Sequence, residues 1–277
     1  MGFRINTNVS SIAAQRALQV NNRESQSTLN KMSSGSRITK AADDAAGLAI
    51  SEKLKAQIRS SAQANRNAND GISMVQTAEG GLDEISNMLT RLRELSIQAS
   101  SDTVGNVERS FSNMEYQSLK QEIERIAQVT EFNGTKLLSG EGDKLDFQIG
   151  TNNNDFQDRI SYDVQMTNAK LEGLGLTSID VSSKEGAQGS LATIDSAIEK
   201  VSGQRAGLGA IQNRLISTSN NLQITGENLA AANSRIRDVD YAEVAAQNAK
   251  NNILNQAGTS VLAQANAQGQ NALKLIG

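Results

Sequence analysis

Residues 72–99 read ISMVQTAEGGLDEISNMLTRLRELSIQA, and within them Ile72, Val75, Ala78, Leu82, Ile85, Leu89, Leu92, Leu95 and Ala99 recur at steps of three and four. That spacing lays one apolar stripe along a helix of 3.6 residues per turn. Leu48, Leu54 and Ile58 continue it upstream, so the helix is expected to begin near Asp43 or Asp44, whose carboxylates suit a helix N-terminus. From there to Ser100 is about 85 Å at 1.5 Å per residue, more than a compact globule needs.

Working outward, a second helix is expected from Val107, Phe111, Met114, Leu119, Ile123 and Ile126, ending at the turn dipeptide Asn133-Gly134. The period then changes to two. Leu145, Phe147 and Ile149 alternate, as do Ile160, Tyr162 and Val164, which predicts a β-hairpin region at about 136–165. Residues 177–189 are aperiodic and contain Ser and Gly, and read as a surface connection. Helical period returns at Leu191, Ile194, Ile198 and Val201. From Leu208 through Ile211, Leu215, Thr218, Leu222, Thr225, Leu229 and Ala232 to Ile236 the steps alternate strictly between three and four, a 3.5-residue repeat that favours a left-handed coiled coil. The expected fold class is mainly α: long antiparallel helices in a coiled-coil bundle with a small β-hairpin region.

Composition agrees. The 277 residues include no Pro, where ordinary usage of roughly 5% would supply about 14. Pro costs about 3 kcal/mol inside a helix, so its absence fits a chain with few tolerable interruptions. Aromatics are only 3%, which leaves burial to small residues along extended seams. With no Cys and no His there are no thiol nucleophiles, disulfides or His/Cys zinc sites, and no imidazole to shuttle protons. Near-balanced charge, 27 basic against 30 acidic residues, favours neither nucleic acid nor an anionic membrane. No run of 18 apolar residues offers a membrane span, and Met1 to Ser10 lacks the apolar centre of a secretory signal.

The two ends have thinner patterns. Residues 1–42 offer Ile5, Val9, Ile12, Leu29 and Met32, and residues 237–277 offer Leu254, Ala257, Val261, Leu262, Ala265, Leu273 and Ile276. Such narrow, Ala-rich stripes recover little of the entropy lost on ordering the backbone. Both ends are therefore expected to gain helical order only against neighbouring copies.

Several motifs carry a resemblance. Ile5-Asn6-Thr7-Asn8, Ser33-Ser34-Gly35-Ser36-Arg37-Ile38, Asp43-Asp44-Ala45-Ala46-Gly47, Arg66-Asn67-Ala68-Asn69-Asp70-Gly71-Ile72-Ser73 and the run from Gln256 to Asn266 resemble the bacterial flagellin signature, in the right order and over both halves of the chain. The form it resembles is a minimal one, in which 177–189 stands where relatives insert outer domains. The resemblance implies a subunit that self-assembles into the flagellar filament for motility. Residues 1–42 with 237–277 would form a terminal coiled-coil inner tube, and 43–176 with 190–236 the surrounding rod. It implies an extracellular protein secreted through the flagellar type III channel without a cleaved signal. Its partners would be further copies of itself, an export chaperone, the filament cap, hook-junction proteins and a host innate immune receptor, with no cofactor and no enzymatic activity. A hook-filament junction protein of the same family is the alternative, and a cytoplasmic coiled-coil scaffold a more distant one.

Candidate sites follow from these two layers. The stripe residues of both ends named above are the expected filament-packing positions. Gln264, Asn266, Gln268, Gln270 and Asn271 are uncharged amides, suited either to lining a channel or to the polar face of a packing helix. Arg91, Leu95 and Glu115 match the positions that flagellins present to the Toll-like receptor sensing them; without the resemblance, Arg91 and Glu94 read as a weak ion pair on a solvated face. Asn65, Asn67 and Asn69 have calcium-loop spacing, but Asp70 and Gln76 stand where that loop needs Gly and Glu, so a helix-surface or capping role is expected.

Overall fold

A computed structural model describes residues 7–274, with side chains through Ala267. In chain order it has α1 (Val9–Ser34), α2 (Ala45–Ala99), α3 (Asn106–Val129), β1 (Glu131–Phe132), β2 (Thr135–Lys136), β3 (Leu145–Gln148), β4 (Arg159–Tyr162), a 3-10 turn (Val164–Thr167), α4 (Leu171–Leu174), α5 (Lys184–Arg237) and α6 (Tyr241–Lys274). Two compact units result, one from Met1–Ala56 and Asn228–Gly277, the other from Gln57–Glu227. Helices α2 and α5 run from one unit into the other.

The central unit is built on the stripe that opened the sequence. Val75, Ala78, Leu82, Ile85, Leu89, Leu92, Leu95 and Ala99 are all buried, in one core with Ile194, Ala197, Val201, Leu208 and Leu215 of α5 and Tyr116, Ile123 and Ala127 of α3. Each fully buried Leu or Ile contributes roughly 1.5–3 kcal/mol, so this seam dominates the unit's stability. At the C-terminal end of α2, the buried Arg109 guanidinium donates to the carbonyls of Ala99 (2.9 Å) and Ser101 (2.8 Å). It thereby satisfies acceptors that the helix leaves open there.

The two-residue period also materialises. β3 and β4 pair antiparallel with Phe147 opposite Ile160 and Leu145 opposite Tyr162. The buried Tyr162 hydroxyl lies 2.9 Å from the Leu137 carbonyl, to which it donates, and 2.8 Å from the Thr167 hydroxyl. Asn133-Gly134 closes the smaller β1–β2 hairpin with φ of 51° and 78°. A two-residue turn with both central residues left-handed matches strand twist, and Gly adopts that backbone freely.

Two expectations are corrected. The connection read as 177–189 is irregular only through residue 183, because α5 begins at Lys184 and buries Ala187. Ser183 explains the early start: its hydroxyl accepts the Gly186 amide at 3.1 Å, an N-cap bond. Upstream, Val181 is buried and Lys120 donates to the carbonyls of Thr177 (3.1 Å) and Ile179 (2.9 Å), which pins the segment to α3. Burial holds the Lys120 ammonium below the usual lysine range. The second correction concerns α3, whose expected core residues Val107, Phe111 and Met114 are 62, 60 and 60% exposed. Ile123 is buried as expected and Leu119 and Ile126 pack against the core, but the rest of the inward face is Arg109, Tyr116, Lys120 and Ala127. Two of these are cations, which periodicity assigns to solvent.

In the terminal unit, α1 ends on Gly35 in the left-handed conformation. Residues beyond it pair with the end of α5: the Arg37 amide donates to the Arg237 carbonyl at 2.7 Å and the Val239 amide to the Gly35 carbonyl at 3.1 Å. Asp44 caps α2 through the Gly47 amide at 2.8 Å. Asp43 instead closes the preceding turn, accepting from the Thr39 hydroxyl and from the Thr39 and Lys40 amides, and these bonds hold its carboxyl below the usual range.

Candidate functional site

Asn8 begins α1 by accepting the Ser11 amide at 3.1 Å, and its own amide donates across to the Ala265 carbonyl of α6 at 2.8 Å. Ser11 donates to Asn266 Oδ1 at 2.8 Å. Farther along, Asn21 Nδ2 donates to the Asn251 carbonyl (2.9 Å) and to Asn255 Oδ1 (2.6 Å). The start of α1 thus meets the end of α6, and the two helices run antiparallel.

Their seam is small and polar. It buries Ser11, Ser25 and Thr28 of α1 and Asn251 and Ala265 of α6, while Val9, Ile12, Val20, Leu29, Ile253, Leu254 and Val261 stay exposed. A groove of about 470 Å³, lined by Ala13, Arg16, Ala17, Val20 and Leu254 among others, adds to this outward surface. The pair therefore joins through polar side chains, with Asn248 Oδ1 left buried and without a partner, and presents most of its large apolar ones outward, the reverse of an ordinary soluble hairpin.

Of the expected packing positions, Val9, Ile12, Leu29, Leu254, Ala257 and Val261 are exposed, and Met32 and Leu262 half-buried. Ala265 belongs instead to the α1–α6 seam, beside the carbonyl that Asn8 grips. Ile5 and Ile276 lie outside the described residues, and the side chain of Leu273 lies outside those described. Among the amides, Gln264 is exposed and Asn266 is partly engaged by Ser11; the side chains of Gln268, Gln270 and Asn271 lie outside those described.

On the central unit Arg91 of α2 makes a two-sided ion pair. Its guanidinium donates to Glu94 (2.9 Å) and to Glu115 of α3 (2.9 Å), and these bonds, with Glu94 first, hold it charged above the usual arginine range. All three side chains are exposed, so the pairs add little to stability. They do fix the direction in which the charges point. Leu95 does not join them: it is 2% exposed and packed in the core, so it offers a partner no surface. The asparagines with calcium-loop spacing are occupied otherwise, Asn67 donating to the Gln148 carbonyl, Asn69 to Asn65, and Asn65 accepting from Ser219.

No helix among the described residues is long and apolar enough to cross a membrane. Two family models match the chain: the bacterial flagellin N-terminal helical region over residues 5–143 and the C-terminal helical region over residues 191–276. A flagellin of Halalkalibacterium halodurans is 44% identical over 272 residues, covering 98% of this chain and 99% of that protein. A flagellin of Bacillus subtilis is 42% identical over 306 residues, covering 99% and 100%. The crystal structure of Bacillus cereus flagellin matches at 30% identity and a TM-score of 0.50, covering 61% of this chain and 94% of that one. A putative flagellar hook-associated protein from Vibrio parahaemolyticus shares the fold, with a TM-score of 0.58 at 14% identity, covering 71% and 100%.

Proposed function

The chain belongs to the bacterial flagellin family and is a structural subunit of the flagellar filament; on that premise we propose that the α1–α6 pair is the element through which copies assemble. The observation that carries this is the inverted pair, polar within and apolar without. Covering Val9, Ile12, Leu29, Leu254 and Val261 with neighbouring copies supplies the burial that the pair lacks alone. In this reading residues 1–42 and 237–277 form the inner tube, and 43–176 with 190–236 the rod around it. The exposed Gln264 suits a channel that must not retain a passing chain.

The same reading makes the protein extracellular, exported through the flagellar type III channel, with an export chaperone, the filament cap and hook-junction proteins as partners. It has no catalytic role and no cofactor. The rival assignment, a junction protein, is supported only at the level of fold, whereas the flagellins match along the whole chain at over 40% identity. Electron microscopy of the purified protein under polymerising conditions tests assembly: a helical tube is expected, with terminal segments that trypsin cuts in the soluble chain and spares in the polymer. Persistent monomers, or equal protection in both states, would contradict it.

The soluble chain is further read as a ligand of the flagellin-sensing Toll-like receptor, through the exposed charges of Arg91 and Glu115. Arg91→Asp reverses the central charge and places it beside two glutamates, so activation of receptor-bearing cells is expected to fall about tenfold or more. Undiminished activation would remove this surface from the account.

A further inference from the structure

The α1–α6 seam raises a specificity problem. Helices that expose their apolar side chains and bury Ser, Thr and Ala have little apolar interlocking to choose one register over a slip by a turn. Asn8 and Ser11 bond across at the outer end of the pair, and in its middle one fully buried side chain discriminates most sharply. Asn251 is 0% exposed, and every polar part of it has a partner. Its Nδ2 donates to Thr28 Oγ1 at 3.3 Å, its Oδ1 accepts from Gln247 at 3.3 Å, and its carbonyl accepts from Asn21 at 2.9 Å. Asn21 also reaches Asn255, one turn farther along α6, at 2.6 Å. Thr28 can receive Asn251 because its own proton is committed to the Glu24 carbonyl at 2.8 Å.

We infer that Asn251, gripped by Thr28 and Asn21 of the opposite helix, sets the register of the terminal pair, and that this register aligns the outward apolar rows for docking of a second copy. Sliding α1 by one turn puts Met32 in the place of Thr28 and Ser25 in that of Asn21 in one direction, and Glu24 and Ala17 in the other. Either slip replaces one of the two gripping side chains by an apolar one, Met32 or Ala17, which cannot pair with Asn251, and a half-satisfied buried polar network is disfavoured. A single buried Asn is known to fix helix register in this manner in coiled coils. The consequence for assembly is geometric: a slip of one turn moves Leu254 and Val261 by about 5.4 Å relative to Val9, Ile12 and Leu29, and a neighbouring copy then meets rows that no longer match its own. Gly258 is a second, weaker constraint, because a Cβ there would lie 3.1 Å from Leu18 Cγ.

This inference rests on the α1–α6 pair being the assembling element, and the test separates the two. The chain has no Cys, so disulfides introduced across the seam report register without background. Filaments are grown from Leu18→Cys/Gly258→Cys, the contacting positions, and from Leu18→Cys/Leu262→Cys, one turn out of step, each with and without Asn251→Leu. With Asn251 present, the first pair is expected to oxidise at least fivefold more completely than the second. With Asn251→Leu that ratio should fall to twofold or less, and the protein concentration needed for growth should rise. The exchanged variant Thr28→Asn/Asn251→Thr keeps a polar pair across the seam and should restore the ratio; it decides the matter if Asn251→Leu does not assemble. An unchanged ratio in Asn251→Leu, or an exchanged variant no better than Asn251→Leu, overturns the register role. Failure of the chain with native Asn251 to polymerise contradicts the assembly reading instead.

Discussion

Leu89→Ala is expected to lower the unfolding free energy by about 2–5 kcal/mol, the range for deleting a fully buried leucine from a packed core. Leu89 lies at the middle of the α2 stripe with no exposed surface, and the long helices around it cannot collapse onto the space without shifting their whole seam. The melting temperature should fall by roughly 4–20 °C, given about 2–4 °C per kcal/mol for domains of this size. Val107→Ala, also an apolar position on a long helix, should change stability by no more than about 0.5 kcal/mol, because Val107 is exposed. Calorimetry of the two variants checks the contrast. Equal losses would mean that α3 packs through the face the sequence suggested, not the one the structure buries.

The second large effect lies in assembly. Ile12→Ser combined with Leu254→Ser should leave the thermal transition of the central unit unchanged, since both side chains lie in the terminal unit at 48 and 47% exposure. Each polymerised copy would nevertheless lose part of two apolar anchors, about 2–3 kcal/mol together. That corresponds to a rise of roughly 30- to 150-fold in the critical concentration for growth. Sedimentation across a concentration series measures it. A critical concentration unchanged from the parent chain would show that these side chains are not covered in the polymer.

The parts of the fold that follow from one strong period were legible in the sequence. The α2 stripe stays buried from Val75 to Ala99, its start is capped at Asp44, and the alternation at 145–149 and 160–164 becomes the β3–β4 hairpin. Misreadings arose where apolar character and burial part company. Along α3 the inward face holds Arg109 and Lys120, whose long side chains reach buried carbonyls, while Val107, Phe111 and Met114 are left outside. Tyr116, Ile123 and Ala127, at steps of seven and four, were the signal that could have found the true face. Leu95 lies on the opening stripe itself, so its burial was already implied there, and the motif resemblance pointed against the stripe.

The candidate assembly surface was half legible. Narrow apolar rows at the two ends pointed to the helices and carried the expectation of outside partners. The sequence does not say that α1 and α6 would meet through the other face, because Ser11, Ser25, Thr28 and Asn251 carry no hydrophobic signal. Only the hydrogen bonds across the seam reveal that they share it.

The most direct test of the central claim is a cryo-electron microscopy reconstruction of filaments grown from the purified chain, at a resolution that places side chains. The predicted result is a tube in which Val9, Ile12, Leu29, Leu254 and Val261 pack against neighbouring copies while Asn251 stays within its own α1–α6 pair. A tube whose copies touch only through the central unit, with those five side chains facing water, would contradict the account.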